Sequence, residues 1–143
     1  MKVVINSISR SKDLKDKIVA ALEQIDVQVV DLYDSSLKDD VYSVTINTIR
    51  KLKENEDAKG IIIDDNGIAP FIIANKHKDV IAAAVSDDRS AMMTTRHNNT
   101  QLIILGSEIV GPGLAINCAK NFSQSTYDAG RHQIRIDMLN SLC

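Results

Sequence analysis

The sequence predicts a three-layer αβα sandwich on a five-stranded parallel sheet, a Rossmann-like α/β architecture. Three observations point there. Short apolar runs recur along the chain with amphipathic stretches between them. Several runs are apolar at consecutive rather than alternate positions, which is the pattern of strands covered on both faces. The two patterns also alternate over the whole length, as a parallel sheet with helical crossovers requires.

Taken in order, Lys2 to Ile5 reads as the first strand. Leu14, Ile18, Ala21, Leu22 and Ile25 then repeat at the spacing of a helix buried on one face, with Ser11 as its N-cap. Val27 to Leu32 is the second strand, followed by a helical stripe of Val41, Val44, Thr48, Ile49 and Leu52 that Asp39 or Asp40 caps. Gly60 to Ile63 is the third strand. Pro70 opens a helix running to about Lys76, because proline at the first helical position forfeits no bond. Val80 to Val85 and Gln101 to Leu105 are the remaining strands, in an order left open. Helices are expected over Asp88 to Thr95, Pro112 to Ser123 and Arg131 to Leu142. In such a sheet, ligands bind beyond the C-terminal ends of the strands. No repeat or linker interrupts the chain, so 1–143 reads as one domain.

Composition narrows the function. The hydrophobic fraction of 44% and charged fraction of 25% are those of a folded globular protein. No apolar run approaches the roughly 20 residues of a membrane-spanning helix, and the first residues enter a strand without the basic stretch of a signal peptide. The expected location is the cytoplasm. A net charge of −2, 3% aromatics and no basic stripe speak against a nucleic-acid partner. Cys118 and Cys143 have neither metal-ligand spacing nor an evident disulfide role and are expected to be passive. There is no GxGxxG, P-loop or zinc-type cluster.

Three segments can carry chemistry. In Asp128 to Arg135, a glycine turn and a helix start set Arg131 and Arg135 on one face near the positive end of a helix dipole. Spacing alone leaves open whether they clamp a phosphate through charge-assisted bonds or are two solvated surface arginines. In Thr94 to Asn99, between a helix and the fifth strand, His97 can titrate near neutrality and Asn98 can both donate and accept, or both are incidental. The turn Asp64-Asp65-Asn66-Gly67-Ile68-Ala69-Pro70 occupies an anion-binding or oxyanion position, but its adjacent carboxylates oppose phosphate. A solvated acidic turn, a metal site and a base all remain open there.

These segments fall in a recognisable order. Ala74-Asn75-Lys76 is followed by Arg96-His97-Asn98-Asn99, then by Leu105-Gly106-Ser107-Glu108-Ile109-Val110-Gly111, and finally by Gly130-Arg131-His132-Gln133-Ile134-Arg135-Ile136-Asp137-Met138-Leu139. Over nearly its whole length the chain resembles the ribose-5-phosphate isomerase B and galactose-6-phosphate isomerase family. Val85-Ser86-Asp87-Asp88-Arg89-Ser90-Ala91 and Asp137-Met138-Leu139-Asn140 look most like the A-type subunits of the galactose-6-phosphate branch. The resemblance implies the same fold and an aldose–ketose isomerase that moves a proton through an enediolate, with no cofactor and no metal. It gives His97 the acid/base role in ring opening, Asn98 the oxygens that gain charge, and Arg131 and Arg135 the phosphate.

The departures matter as much. Ribose-type members carry a Cys-Gly-Thr-Gly turn whose cysteine is the base, where this chain has Asp64-Asp65-Asn66-Gly67. Some relatives use a glutamate further into the loop, where Pro70 stands here. The family's Gly-Ser-Asp-His-Ala-Gly motif, which helps hold the sugar phosphate, corresponds to Asn6-Ser7-Ile8-Ser9-Arg10-Ser11. Family active sites lie between two subunits, one giving the N-terminal motif and cysteine turn, the other the His-Asn pair and helix arginines. The chain keeps only the second set. The resemblance therefore implies a hetero-oligomer with a B-type subunit that carries the cysteine, converting galactose 6-phosphate to tagatose 6-phosphate in lactose and galactose breakdown. A ribose- or allose-phosphate isomerase and a non-catalytic scaffolding subunit are the alternatives.

Overall fold

A computed structural model describes residues Met1–Cys143. Five strands, β1 (Lys2–Ser7), β2 (Gln28–Asp31), β3 (Lys59–Asp64), β4 (Ala82–Ala84) and β5 (Leu102–Gly106), form one parallel sheet in the order β2-β1-β3-β5-β4. The order left open by the sequence is thus settled: β5 lies beside β3, and β4 is the outer strand. Six α-helices complete the fold: α1 (Lys12–Glu23), α2 (Val41–Lys53), α3 (Ala69–Asn75), α4 (Asp88–Asn98), α5 (Pro112–Gln124) and α6 (Gln133–Asn140).

Period-two geometry sends neighbouring strand residues to opposite faces, which explains the continuous apolar runs. Ile61 and Ile63 of β3, with Ile103 and Leu105 of β5, pack with Leu14, Ile18 and Leu22 of α1 and with Ala115, Ala119 and Phe122 of α5. Ile62, Leu102 and Ile104 face the other way, towards Val44 and Ile49 of α2 and Ala74 of α3. The central strands β1, β3 and β5 are buried, whereas β2 is partly exposed along its length.

Several local expectations need correction. Ser11 does not cap α1 with its side chain. Its hydroxyl instead meets that of Ser107 at 2.9 Å, tying the start of α1 to the turn after β5. Of the two aspartates expected to cap α2, Asp40 is the one that does so, accepting from Ser43 N at 2.9 Å, while Asp39 accepts from Ser9 N at 2.8 Å. Pro70 is in the first turn of α3 but Ala69 precedes it. The strand after α3 is only Ala82–Ala84. Two further differences move functional residues: α4 runs on to Asn98, and the expected helix from Arg131 begins as a 3-10 turn, Gly130–His132, with α6 starting at Gln133.

Candidate functional site

In a parallel sheet each helix carries the chain from the C-terminal edge of the strands back to the N-terminal edge. The last turn of α4 therefore sits at the N-terminal edge, just before β5 begins. His97 and Asn98 belong to this turn rather than to a loop, and the helix stops at Asn99 in the left-handed region (φ 52°). Asparagine tolerates that conformation better than most residues. α5 ends at the same edge, and the segment after it is fastened to α4. Asp128 N donates to Arg96 O at 2.9 Å, and Arg96 Nε reaches the two carboxylate oxygens of Asp128 at 3.2 and 3.1 Å.

The chain then reverses through Ala129 (φ 54°) and Gly130 (φ 58°). Glycine takes such an angle freely, but alanine does so at a cost of about 1–3 kcal/mol. The turn delivers α6 across the N-terminal edge of the sheet. At its far end the Cys143 thiol approaches Asn75 O at 3.8 Å, and Asn75 holds the start of β4 by donating to Ala82 O and accepting from Ala82 N.

Arg135 is the centre of the cluster so formed. Its Nη2 donates to His97 O at 2.8 Å and its Nε to Asn98 Oδ1 at 3.3 Å, so it also satisfies a carbonyl at the exposed end of α4. With Oδ1 engaged, the Asn98 amide group is left to donate outward. His132, which lies next to Arg131 in sequence, stacks on His97 with centroids 4.4 Å apart and an interplanar angle of 16°. Its Nδ1 is 3.1 Å from Arg135 Nη2. Because a guanidinium can only donate, Nδ1 must accept, which fixes His132 as the neutral tautomer protonated at Nε2. Loss of hydration, followed by the proximity of His97, Arg135 and Arg131, depresses the His132 pKa, in agreement with that assignment. Arg131 is exposed and makes no hydrogen bond within the chain.

All four candidate residues thus fall at one edge of the sheet, and that edge is the N-terminal one. They therefore stand away from the C-terminal strand ends, where a parallel sheet ordinarily binds its ligands. His132, Arg96 and Asp128 were missed as site residues. The signal available for His132 was its place in the Gly-Arg-His-Gln segment, three residues before Arg135 and so on the same helical side.

The acidic turn lies at the opposite edge. α4 has 11 residues, about 16 Å at ~1.5 Å per residue, and this roughly separates the two regions. Asp64 is 5% exposed and folds back to accept from Gly67 N at 2.6 Å. Burial raises its pKa, against the pull of the Gly67 bond. Asp65 is paired with Arg10, Nη2 to Oδ2 at 2.5 Å. The turn is therefore not a solvated acidic loop: one carboxylate is turned inward and the other is held by an arginine. It is also pressed against β5, since a Cβ on Gly106 would lie 2.7 Å from Asn66 C, and Ser107 N donates to Asp64 O at 2.7 Å. No group of three or more His, Cys, Asp and Glu side chains is placed to hold a metal ion. Cys118 is buried and its thiol is pushed up to about 11, mainly by burial, which makes it a poor nucleophile.

What remains is a cationic, hydrogen-bonding cluster around two stacked histidines, with no cysteine beside it and with its carboxylate, Asp128, held by Arg96. Comparison with known proteins gives this combination a context. Residues 3–139 match the family model described as Ribose/Galactose Isomerase. The chain belongs to that family. It is 46% identical over 143 residues, covering 100% of both chains, to the galactose-6-phosphate isomerase subunit LacA of Streptococcus agalactiae. It is 41% identical, again over the full length of both, to LacA 2 of Streptococcus pyogenes serotype M1. Among solved structures, ribose-5-phosphate isomerase B of Mycoplasma genitalium with bound ribulose-5-phosphate superposes with a TM-score of 0.89 at 30% identity, over 97% of this chain and 93% of that one. The Thermotoga maritima ribose 5-phosphate isomerase gives 0.90 at 25% identity, over 99% and 98%. The fold is thus that of the Ribose/Galactose Isomerase family. No helix is long and apolar enough to cross a membrane.

Proposed function

We propose that the chain is the A-type subunit of a cytoplasmic, hetero-oligomeric galactose-6-phosphate isomerase, interconverting galactose 6-phosphate and tagatose 6-phosphate together with a B-type subunit. The observation that carries this reading is the separation of the two regions: His97, Asn98 and Arg135 share the N-terminal edge, while the turn at which ribose-type relatives carry their cysteine lies at the other. A single subunit cannot bring both onto one sugar. Even if it could, Asp64 is buried against Gly67 and Asp65 is tied to Arg10.

In the proposed reaction, His97 exchanges the proton that opens the sugar ring. A cysteine of the partner takes the proton from C2 and returns it at C1 through the enediolate, while the O2 hydroxyl proton passes to O1. The Asn98 amide donates to the oxygen that gains charge, and its orientation is already set by Arg135. Arg131 and Arg135 bind the phosphate, so that binding energy remote from the reacting carbons holds them in place. A proton next to a carbonyl needs neither a hydride carrier nor a metal. The need for a partner is also supported by α6, which leaves Ile134 and Met138 exposed one turn apart, with exposed Leu142 just beyond its end, an unusual apolar surface for an isolated chain.

The experiment is an assay of the purified chain, the purified cysteine-bearing partner and the two combined on galactose 6-phosphate. Turnover only in the mixture is expected. Robust turnover by this chain alone would overturn the proposal and make Asp64 the residue to examine. Equal turnover by the partner alone would leave this chain a scaffold.

A further inference from the structure

Lys59, the first residue of β3, stands at the N-terminal edge of the sheet and has no part in the reaction as proposed. Its ammonium turns towards the end of α5, donating to Phe122 O at 2.6 Å and to Ser125 O. These two carbonyls lie on either side of the point where the helix stops. We propose that Lys59 is a positioning residue: by holding both carbonyls it sets the path of the chain leaving α5, and with it the place of Arg131 for the substrate phosphate. The inference deepens the isomerase reading and rests on it for the identity of that phosphate. Three observations carry it.

The first is the choice of partners. Lys59 is half-buried and forms no ion pair within the chain. Burial pushes its pKa down to about 8, so it is still a cation at neutral pH. Taking a cation out of water without a carboxylate destabilises the fold. The carbonyls at the negative end of α5, and the Phe122 ring 5.1 Å from the ammonium, offset part of that loss. An apolar side chain would fill the place without it. What the ammonium adds is a fixed position for two carbonyls.

The second is what the tethered segment carries. Only Thr126 and Tyr127 separate Ser125 from Asp128, whose backbone and side chain are fastened to Arg96 near the end of α4. The Tyr127 hydroxyl donates to Gln133 Oε1 at 2.9 Å, at the start of α6. Ser125 to Asp128 is thus held from β3, α4 and α6, and the turn bearing Arg131 follows directly. Because the Arg131 side chain makes no hydrogen bond within the chain, only its backbone places it. The third is the anchor. β3 is the middle strand of the sheet, paired with β1 and β5, so Lys59 ties an exposed turn to a strand supported on both sides. Groups supported by rigid elements keep their geometry better than groups on loops.

The test is Lys59→Met, which removes the charge and leaves a chain of similar shape, read in two ways. In two-dimensional NMR spectra of the chain, the amides of residues 130–132 and of Arg96 are expected to move, although Lys59 bonds none of them. In the complex assembled with the cysteine-bearing partner, KM for galactose 6-phosphate is expected to rise about tenfold, with kcat within about twofold. Lys59→Arg, which keeps a charge and several donors, is expected to restore most of that loss. The melting temperature of Lys59→Met should change little, because removal of a desolvated cation offsets the lost bonds. A large drop in melting temperature with KM unchanged would make Lys59 a structural cap and overturn the proposal. Unmoved amides at residues 130–132 would overturn it too, as would equal losses in the Met and Arg variants. Should Lys59→Met not fold, Lys59→Gln takes its place, with the same direction expected and the same unmoved amides fatal. If the unmodified mixture does not turn over galactose 6-phosphate, the isomerase reading fails; the amide shifts need no substrate and still decide whether Lys59 places Arg131.

Discussion

Arg96 and Asp128, 32 residues apart, hold each other twice: through the side chains at 3.1 and 3.2 Å, and through Asp128 N to Arg96 O at 2.9 Å. The pair fixes where the chain leaves α5 and so where Arg131 and Arg135 stand relative to His97. Its side chains are 44% and 35% exposed, so the ion pair itself is worth only about 0.2–1 kcal/mol of stability. Its larger effect should be positional. Asp128→Ala is expected to lower the melting temperature slightly while reducing phosphate-sugar affinity in the assembled enzyme by about tenfold, the cost of misplacing one charge-assisted bond. Melting curves and a binding titration together check this, and a large stability loss with unchanged binding would reverse the assignment.

Replacing His97 with Ala in the assembled complex is expected to slow the reaction of the cyclic sugar by about a hundredfold or more, as for a lost general acid/base. The fold should tolerate it, because Arg135 bonds the His97 carbonyl and not its ring. Initial rates on substrate that is mainly cyclic provide the measurement. An unchanged rate would reduce His97 to a stacking partner of His132.

The division of the site between two edges was only half legible in the sequence. Strand cores such as Ile61-Ile62-Ile63 and Leu102-Ile103-Ile104-Leu105 announce themselves, because burial on both faces leaves no polar position to mislead. Arg131 and Arg135 could be picked out by spacing. Their division between a 3-10 turn, Gly130–His132, and α6 could not, since the chain enters that turn beside the Asp128–Arg96 contact, a pairing across 32 residues that no local pattern records. The same holds for Asp64 and Asp65. Two adjacent aspartates look solvated until Gly67 N and Arg10 are found to occupy them.

Asp64 gives a pH prediction. Its folded pKa is raised, so the folded state binds the proton more tightly than the unfolded chain, where an aspartate titrates near 3.9. The stability that this group contributes is fully present below about pH 3.9 and is lost as pH rises through the folded value. Asp64→Asn keeps an oxygen for Gly67 N and removes the buried charge. It is expected to be more stable than the unmodified chain at pH 7, with the advantage shrinking as pH falls towards 4. Urea melts at the two pH values decide it, and an advantage that grows at low pH would contradict the burial argument.

The two arginines should not behave alike. Arg131 makes no bond within the chain, so its loss should remove only a phosphate contact, about 1.5–3 kcal/mol or one to two powers of ten in affinity. Arg135 also holds His97 O, Asn98 Oδ1 and His132 Nδ1. Its removal should therefore weaken phosphate binding by at least as much and also lower the rate at saturating substrate, because the ring-opening histidine and the oxyanion donor lose their support. Lysine at either position should rescue only partly, since a point charge cannot supply a fork of parallel donors. The two losses should fail to add in the double variant if one phosphate lies between both groups. Titrating galactose 6-phosphate and unphosphorylated galactose against each assembled variant, alongside rates at saturation, separates the two roles. If both single variants bind the phosphate sugar as tightly as the unmodified complex, the arginines are a solvated surface pair and the phosphate sits elsewhere. If binding falls but Arg135→Ala keeps its full rate at saturation, the contacts to His97 and Asn98 are structural and the chemistry does not depend on them.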